Sequence, residues 1–161
     1  MPKLYNNFSS VFLKDIKPAG TAGGTFSGGA WQTRVLNTIE NAMSYSWISL
    51  ASNQFTLQPG TYEIEASAPA QGVNQHQAKI RNITDGTDAI IGTSEYTTNA
   101  NTGYVPTRSL VHGSITITSA KVFELQHRAN SSYSANGFGE PSGMVTGLSE
   151  VYSIIKIRKL A

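Results

Sequence analysis

Cysteine is absent from this 161-residue chain, which excludes disulfide staples and every thiolate-based metal or redox site. Charge is scarce as well. Asp, Glu, Lys and Arg make up 14% of the residues, against about 25% in ordinary soluble domains, and the formal net charge is only +2. So weak a positive field argues against a nucleic-acid partner, because such binding is carried by phosphate neutralisation. No apolar run approaches the ~18 residues of a membrane-spanning helix, and the opening MPKLYNNFSS has no apolar signal core, so no membrane insertion is expected. Also missing is any sustained 3.6-residue period, which leaves no amphipathic helix to build with.

What remains is a surface of Ser, Thr, Asn, Gln and Gly around short runs that alternate polar and apolar residues. Such an exterior is rich in donors and acceptors that suit sugar hydroxyls, and it is equally a neutral, protease-resistant coat. The length fits one domain, able to bury roughly 70% of the surface its unfolded chain exposes. Residues 1–9 are expected to form an N-terminal arm and 10–161 the domain.

Along the chain, Val11, Phe12 and Leu13 suggest an edge strand, followed by a long loop whose five glycines between Gly20 and Gly29 exclude a helix. Those glycines do not cradle phosphate, since no Gly-Lys-Ser/Thr ending follows. Trp31 to Asn37 reads as a second short strand. Ile48, Leu50, Phe55 and Leu57 flank Ser52-Asn53, and Gln58-Pro59-Gly60 makes a tight turn. From Thr61 to Ala68 the alternation is strict, with Tyr62, Ile64, Ala66 and Ala68 on one face, and Pro69 is expected to end the strand. Asp85-Gly86 marks a hairpin whose two-residue loop sets Ile80 opposite Ile91 and Asn82 opposite Ala89. Residues 97–107 and 129–148 read as exposed loops. A second hairpin is expected around Ser119 to Lys121, pairing Ile117 with Phe123 and Ile115 with Leu125. Regularly spaced short strands without helices indicate an all-β sandwich or barrel.

Catalytic and metal chemistry find little support. In the hairpin register just given, His127 points inward near Gly113 and His112 outward beside Arg128, so the two histidines do not meet. Most of the ten acidic residues lie on solvent faces or in turns, and nothing brings two together at the separation glycoside hydrolysis needs. Neither a Gly-x-Ser-x-Gly elbow nor a His-Glu-x-x-His pair occurs. The expectation is a non-enzymatic protein with no cofactor and no metal. Better candidates are the loop residues Tyr96, Tyr104, Tyr133 and Phe138, with Arg108 and Asn136 beside them. An aromatic face with amide or guanidinium donors at its edge suits a sugar ring. The alternative for each aromatic is that it packs down to anchor its own loop.

The ending EVYSIIKIRKL carries an apolar surplus. Val151, Ser153, Ile155 and Ile157 alternate with Tyr152 and Ile154, so both faces start apolar. If the sandwich core takes one face, Tyr152 and Ile154 are left for a neighbouring subunit or for the N-terminal arm. Burying those two side chains is worth on the order of 3–5 kcal/mol.

The runs FTLQPGTYEIEASAPA, KIRNITDGTDAIIG, SLVHGSITI, KVFELQHR and SEVYSIIKI resemble a domain of bacteriophage tail-fibre and head-fibre proteins, and more broadly the trimeric jelly-roll heads of the C1q and tumour-necrosis-factor (TNF) families. The resemblance covers about residues 10–160. It implies a two-sheet antiparallel jelly roll forming a homotrimer with the closing strand near the threefold axis. It further implies a receptor-binding knob on a virion or phage-like particle surface, contacting bacterial surface polysaccharide through loops at one end. A fibre or capsid protein would hold its N-terminus. The alternative is a capsid decoration or fibre-trimerisation module without its own ligand. A long fibrous stem usually precedes such knobs, so this chain is expected to be either a stand-alone head or a piece of a longer protein.

Overall fold

The structure, a computed structural model, describes residues 10–42, 45–98, 103–144 and 147–160, so the expected N-terminal arm lies outside the described residues. Eleven strands are described: β1 (Ser10–Lys17), β2 (Gln32–Thr33), β3 (Thr38–Glu40), β4 (Ile48–Ala51), β5 (Gln54–Leu57), β6 (Gly60–Ala70), β7 (Asn74–Asn82), β8 (Thr87–Thr97), β9 (Thr107–Ile117), β10 (Lys121–Ala129) and β11 (Glu150–Lys159). They form two antiparallel sheets, one in the order β3-β1-β11-β6-β9 and one in the order β4-β5-β10-β7-β8, with β2 added along β10. This is the expected all-β, two-sheet jelly roll.

The alternating residues of each strand meet between the sheets. Val11, Leu13, Tyr62, Ile64, Ile155 and Ile157 from the first sheet face Phe55, Leu57, Ile80, Phe123 and Leu125 from the second, all essentially inaccessible. Full burial of one such side chain stabilises by about 1.5–3 kcal/mol, so alternation along six or seven strands suffices for a core without staples. Phe55 and Phe123, directly opposite on neighbouring strands, stack with ring centroids 5.5 Å apart.

The expected alternation from Thr61 holds, with Tyr62, Ile64, Ala66 and Ala68 all buried. Ser52 and Asn53 both adopt positive φ (52° and 64°), the geometry a two-residue hairpin between β4 and β5 needs. Others are corrected. β1 is not an edge strand, because the three residues of β3 pair along its outer side. Pro69 does not end β6, which runs on to Ala70. Beyond Ser67 the β11 ladder has stopped, so the missing N–H of Pro69 costs nothing on that side, while β9 still pairs on the other.

The Asp85-Gly86 turn is wider than two residues, for Asn82 pairs with Thr87 and Ile80 with Ile90. Asn82 sets this up. Its Oδ1 accepts the Asp85 N–H at 3.0 Å and its Nδ2 donates to Asp85 Oδ2 at 2.9 Å, an Asx-type closure that competes with a tight turn. Two register shifts farther along then bring Gln75 opposite Tyr96 and His76 opposite Glu95.

The largest correction concerns β9 and β10. They do not form a hairpin: β9 pairs with β6 in the first sheet, and β10 lies between β7 and the β5/β2 edge of the second. The chain crosses from sheet to sheet between Ile117 and Lys121. An inward-facing alternation looks the same whether consecutive strands pair or face each other across the core, so the pattern could not separate the two. At the opposite side of the sandwich the edge strands β8 and β9 close up. Ser109 Oγ donates to the Thr93 carbonyl at 2.7 Å, and the Leu110 N–H donates to Thr93 Oγ1 at 3.0 Å. Gly92 permits that approach, since a Cβ there would lie 2.9 Å from the Leu110 carbonyl oxygen of β9.

Truncation of the stacked pair is the direct test of this core. Phe123→Ala should cost about 3–5 kcal/mol in urea unfolding with an unchanged m-value. A loss below about 1 kcal/mol would mean that β10 does not face β5 as described.

Candidate functional site

One end of the sandwich collects the ends of β1, β6, β8 and β10 and the starts of β7, β9 and β11, together with the two glycine-rich segments. Those segments zip together. Phe26 and Tyr133 exchange backbone hydrogen bonds (3.0 and 2.9 Å), Gly24 donates to Ala135 O, and Phe138 donates back to Gly24 O. Residues 131–140 of the expected exposed loop are thus anchored, with Gly137 and Gly139 buried. A Cβ at Gly137 would lie 2.6 Å from the Phe26 backbone nitrogen, so only glycine allows the two chains this close.

Beneath the zipped loops lies a polar core that the sequence did not announce. Arg34 is 1% exposed. Its Nε donates to Ser153 Oγ (2.9 Å), Nη1 to the Pro69 carbonyl (3.0 Å) and Nη2 to the Phe138 carbonyl (2.9 Å), and its guanidinium lies 4.1 Å from the Phe138 ring centroid. One side chain therefore ties β11, β6 and the loop together. Burial pulls its pKa down to about 9, partly offset by the carboxylate of Asp15, which leaves it charged at neutral pH. A single Arg inside the run Trp31 to Asn37, followed by Val35 and Leu36, was the available signal.

His76 and His127 form a buried pair at 2.9 Å (Nδ1 to Nε2), so histidines do meet, but not the two considered from sequence. His127 packs on Phe26, and His112 lies on the other sheet beside Glu65 rather than beside Arg128. The tautomers follow from the network. Thr107 Oγ1 gives its proton to the Tyr96 carbonyl, so it accepts from His76 Nε2–H at 2.8 Å. His76 Nδ1 then accepts from His127 Nε2–H, and His127 Nδ1 is left without a partner among the described residues. Both rings are neutral. Burial, with Arg34 adding repulsion and Glu95 opposing it, brings His76 down to about 4. His127 is held well below the ordinary imidazole value by burial, Arg34 and His76.

The loop candidates divide. Tyr104 and Tyr133 come together, ring centroids 4.7 Å apart, over Gly72, whose φ of 64° and closeness to both rings suit glycine alone. Phe138 turns inward onto Phe26 at 4.4 Å, and the Asn136 backbone carbonyl accepts the Gly139 N–H at 2.9 Å. Arg108 Nη1 donates to Ser67 Oγ and to the Tyr152 carbonyl. Tyr96, 55% exposed, stands apart on the outward face of β8.

The outward face of the first sheet is ordered by register into rows. Nearest the loops run Lys14, Ile154, Ser67 and Leu110; next come Phe12, Lys156, Glu65 and His112; then Ser10, Arg158, Glu63 and Ser114. Apart from Lys14, which pairs with Glu40 at the sheet edge, the face grades from apolar to charged. A groove of about 350 Å³ runs between Phe12, Ile154 and Leu110, and Leu110 is 52% exposed. Tyr152 is 3% exposed within the single chain: its ring lies against Gly139 and its hydroxyl donates to the Thr21 carbonyl at 2.6 Å. Of the two residues expected to face a neighbour, Ile154 is the one that lines the groove. Glu63, Glu65 and His112 have ligand-type atoms within 4.8 Å of one another, but Arg158 and Lys156 already occupy the two carboxylates.

No family model matches the sequence, and no curated protein does. Solved structures do match. The chain is similar to Eiger TNF from S. frugiperda (12% identity, 96% of this chain and 93% of that one, TM-score 0.62). It is also similar to the globular domain of zebrafish complement 1qA protein (9%, 93% and 96%, 0.53) and to murine APRIL at pH 8.5 (6%, 94% and 99%, 0.52). The class is therefore settled as a TNF/C1q-like jelly roll. At these identities the likeness is one of fold.

Two outcomes follow from the polar core. The unfolded chain takes up imidazole protons below about pH 6.5 and the folded chain does not, so the unfolding free energy should fall as pH drops from 6.5 toward 4. With two such groups the slope should approach about 2–3 kcal/mol per pH unit near pH 5, read by urea titrations; a flat profile down to pH 5 would contradict neutral, buried rings. Arg34→Met should destabilise by about 2–4 kcal/mol and open the 134–140 loop to rapid amide exchange.

Proposed function

We propose that this chain is the head of a homotrimeric, non-enzymatic attachment protein on the surface of a phage or phage-like particle. It contacts bacterial surface polysaccharide at its loop-bearing end, with a fibre or capsid protein at its N-terminus. The observation that carries the proposal is the graded outward face of the first sheet. Apolar Phe12, Ile154 and Leu110 line a groove that water would otherwise fill. Below it, cations on β11 stand beside anions on β6. Such a face suits a second copy of the same chain, which can bury the apolar row and cross-match the charges. The phage context rests on the sequence motifs, and the fold is compatible with it.

The rival is an assembly module without a ligand. It is favoured by Phe138, whose ring is occupied in holding its own loop against Phe26. Tyr96 and the Tyr104–Tyr133 pair remain the loop aromatics available to a ligand.

Light scattering on the purified chain should give three times the monomer mass. Ile154→Lys should lower that mass while circular dichroism stays β. A variant that remains a stable trimer would put the contact elsewhere, and a monomeric wild type would remove the proposal. Binding of the trimer to bacterial cells or to arrayed polysaccharides separates the attachment role from the assembly role, which predicts neither.

A further inference from the structure

A cavity of about 550 Å³ opens on the outward face of the second sheet at the loop-bearing end. It lies on the opposite sheet from the groove proposed to meet a second copy, so assembly would leave it open. Its position follows from register. Gln77 is opposite both Arg128 on β10 and Ser94 on β8, so the three side chains share one face. Trp31 sits just before β2, which runs along the far edge of β10.

Three observations make this a built site rather than a dent. First, Lys79 Nζ sits 3.9 Å from the Trp31 ring centroid and is neutralised by Asp88 at 2.8 Å, so one face of the indole is braced from below. Trp31 is still 37% exposed and lines the cavity. A braced, half-exposed indole is a rigid apolar plane, and keeping it in water costs free energy that a ligand can recover. Second, the amides around it are oriented. Asn130 Nδ2 donates to Gln75 Oε1 at 3.2 Å and Gln77 Nε2 to the Gly92 carbonyl at 2.8 Å, which leaves the Gln75 amide N–H and the Gln77 carbonyl oxygen to face a ligand. Third, Arg128 is exposed and, among the described residues, no carboxylate lies within ion-pair distance of it. Its guanidinium is a fork of donors without an acceptor. Glu95 also lines the cavity, so the formal charges of the wall sum to zero, and its Oε1 accepts from Thr93 Oγ1 at 2.8 Å.

An apolar plane, fixed amide donors and acceptors, an unpaired guanidinium and a balanced wall charge match a ring with one apolar face and a rim of hydroxyls. We propose that this cavity is a binding subsite for a neutral pyranose, part of a longer polysaccharide, stacked on Trp31 and hydrogen-bonded by Gln75, Gln77 and Arg128. The volume falls within the ~300–1,000 Å³ of ordinary small-molecule sites and admits a short stretch of such a chain. The inference rests on the attachment role proposed above and moves its principal contact from the loop aromatics to this sheet face.

The chain has a built-in reporter, because the other tryptophan, Trp47, is buried in the core against Tyr62. The experiment titrates neutral oligosaccharides of glucose, galactose, mannose and N-acetylglucosamine, with polyglucuronate as the charged comparison, into the intact protein. Tryptophan emission and backbone amide resonances are followed. At least one neutral sugar should alter the Trp31 emission and shift the amides of Gln75, Gln77 and Arg128. Trp31→Ala and Arg128→Ala, both at exposed positions, should each weaken binding about tenfold or more at unchanged melting temperature and unchanged mass. A sugar that shifts only Tyr104 and Tyr133 would overturn this site and leave the attachment role standing. Binding of polyglucuronate alone, lost with added salt, would overturn the neutral-ring assignment. No binding by any sugar would overturn both the subsite and polysaccharide recognition, whereas a change in oligomeric mass bears only on the assembly face.

Discussion

The loop-bearing end of this molecule depends on a guanidinium that has been taken out of water. Among the described residues no carboxylate lies within ion-pair distance of Arg34, and three neutral acceptors, from β11, β6 and the 134–140 loop, share its donors. A buried cation is tolerable only if its donors are satisfied, so the position of each acceptor is constrained by the others. That constraint explains why a glycine-rich stretch with almost no apolar content is nonetheless ordered. The loop cannot leave without stranding the charge beneath it, and burial, reinforced by that charge, keeps the neighbouring histidines neutral.

With the loops pinned, the two sheets carry different surfaces. The first presents rows that run from apolar to ionic, a layout suited to a partner wide enough to cover several strands. The second presents a braced indole among oriented amides, suited to something the size of a sugar ring. The separation is a consequence of the sandwich itself. Each strand has one face in the core, so each sheet has one face to spend on the outside, and the two outward faces point away from each other.

Much of the inward pattern was legible. The residues named from alternation on β6 are in the core, as are Ser153, Ile155 and Ile157 on β11, because facing is a short-range property; Val151, named with them, is 38% exposed. The Asp85-Gly86 hairpin was located but its register was not, since Asn82 offers the backbone a side-chain closure that a two-residue loop would not need. The β9–β10 pairing was wrong for a deeper reason: Ile117 and Phe123 both face the core, and facing the core does not say from which sheet. The histidine assignment failed with it. Trp31 was noted as part of a strand but not as a wall of a cavity, because its neighbours come from β7, β8 and β10.

Composition and alternation by themselves determined that this protein is all-β, a sandwich or a barrel. A chain with no cysteine, little charge, no helical period and short two-residue repeats has to bury one face of many strands, and an all-β sandwich does that. Only the tertiary structure decided who neighbours whom: β9 beside β6, His127 against His76, Arg34 under Phe138, Trp31 over Lys79. The physical reason is one of range. Which way a side chain points is set by its own backbone, one residue to the next, whereas contact between distant segments is set by the simultaneous satisfaction of buried polar groups from the whole chain.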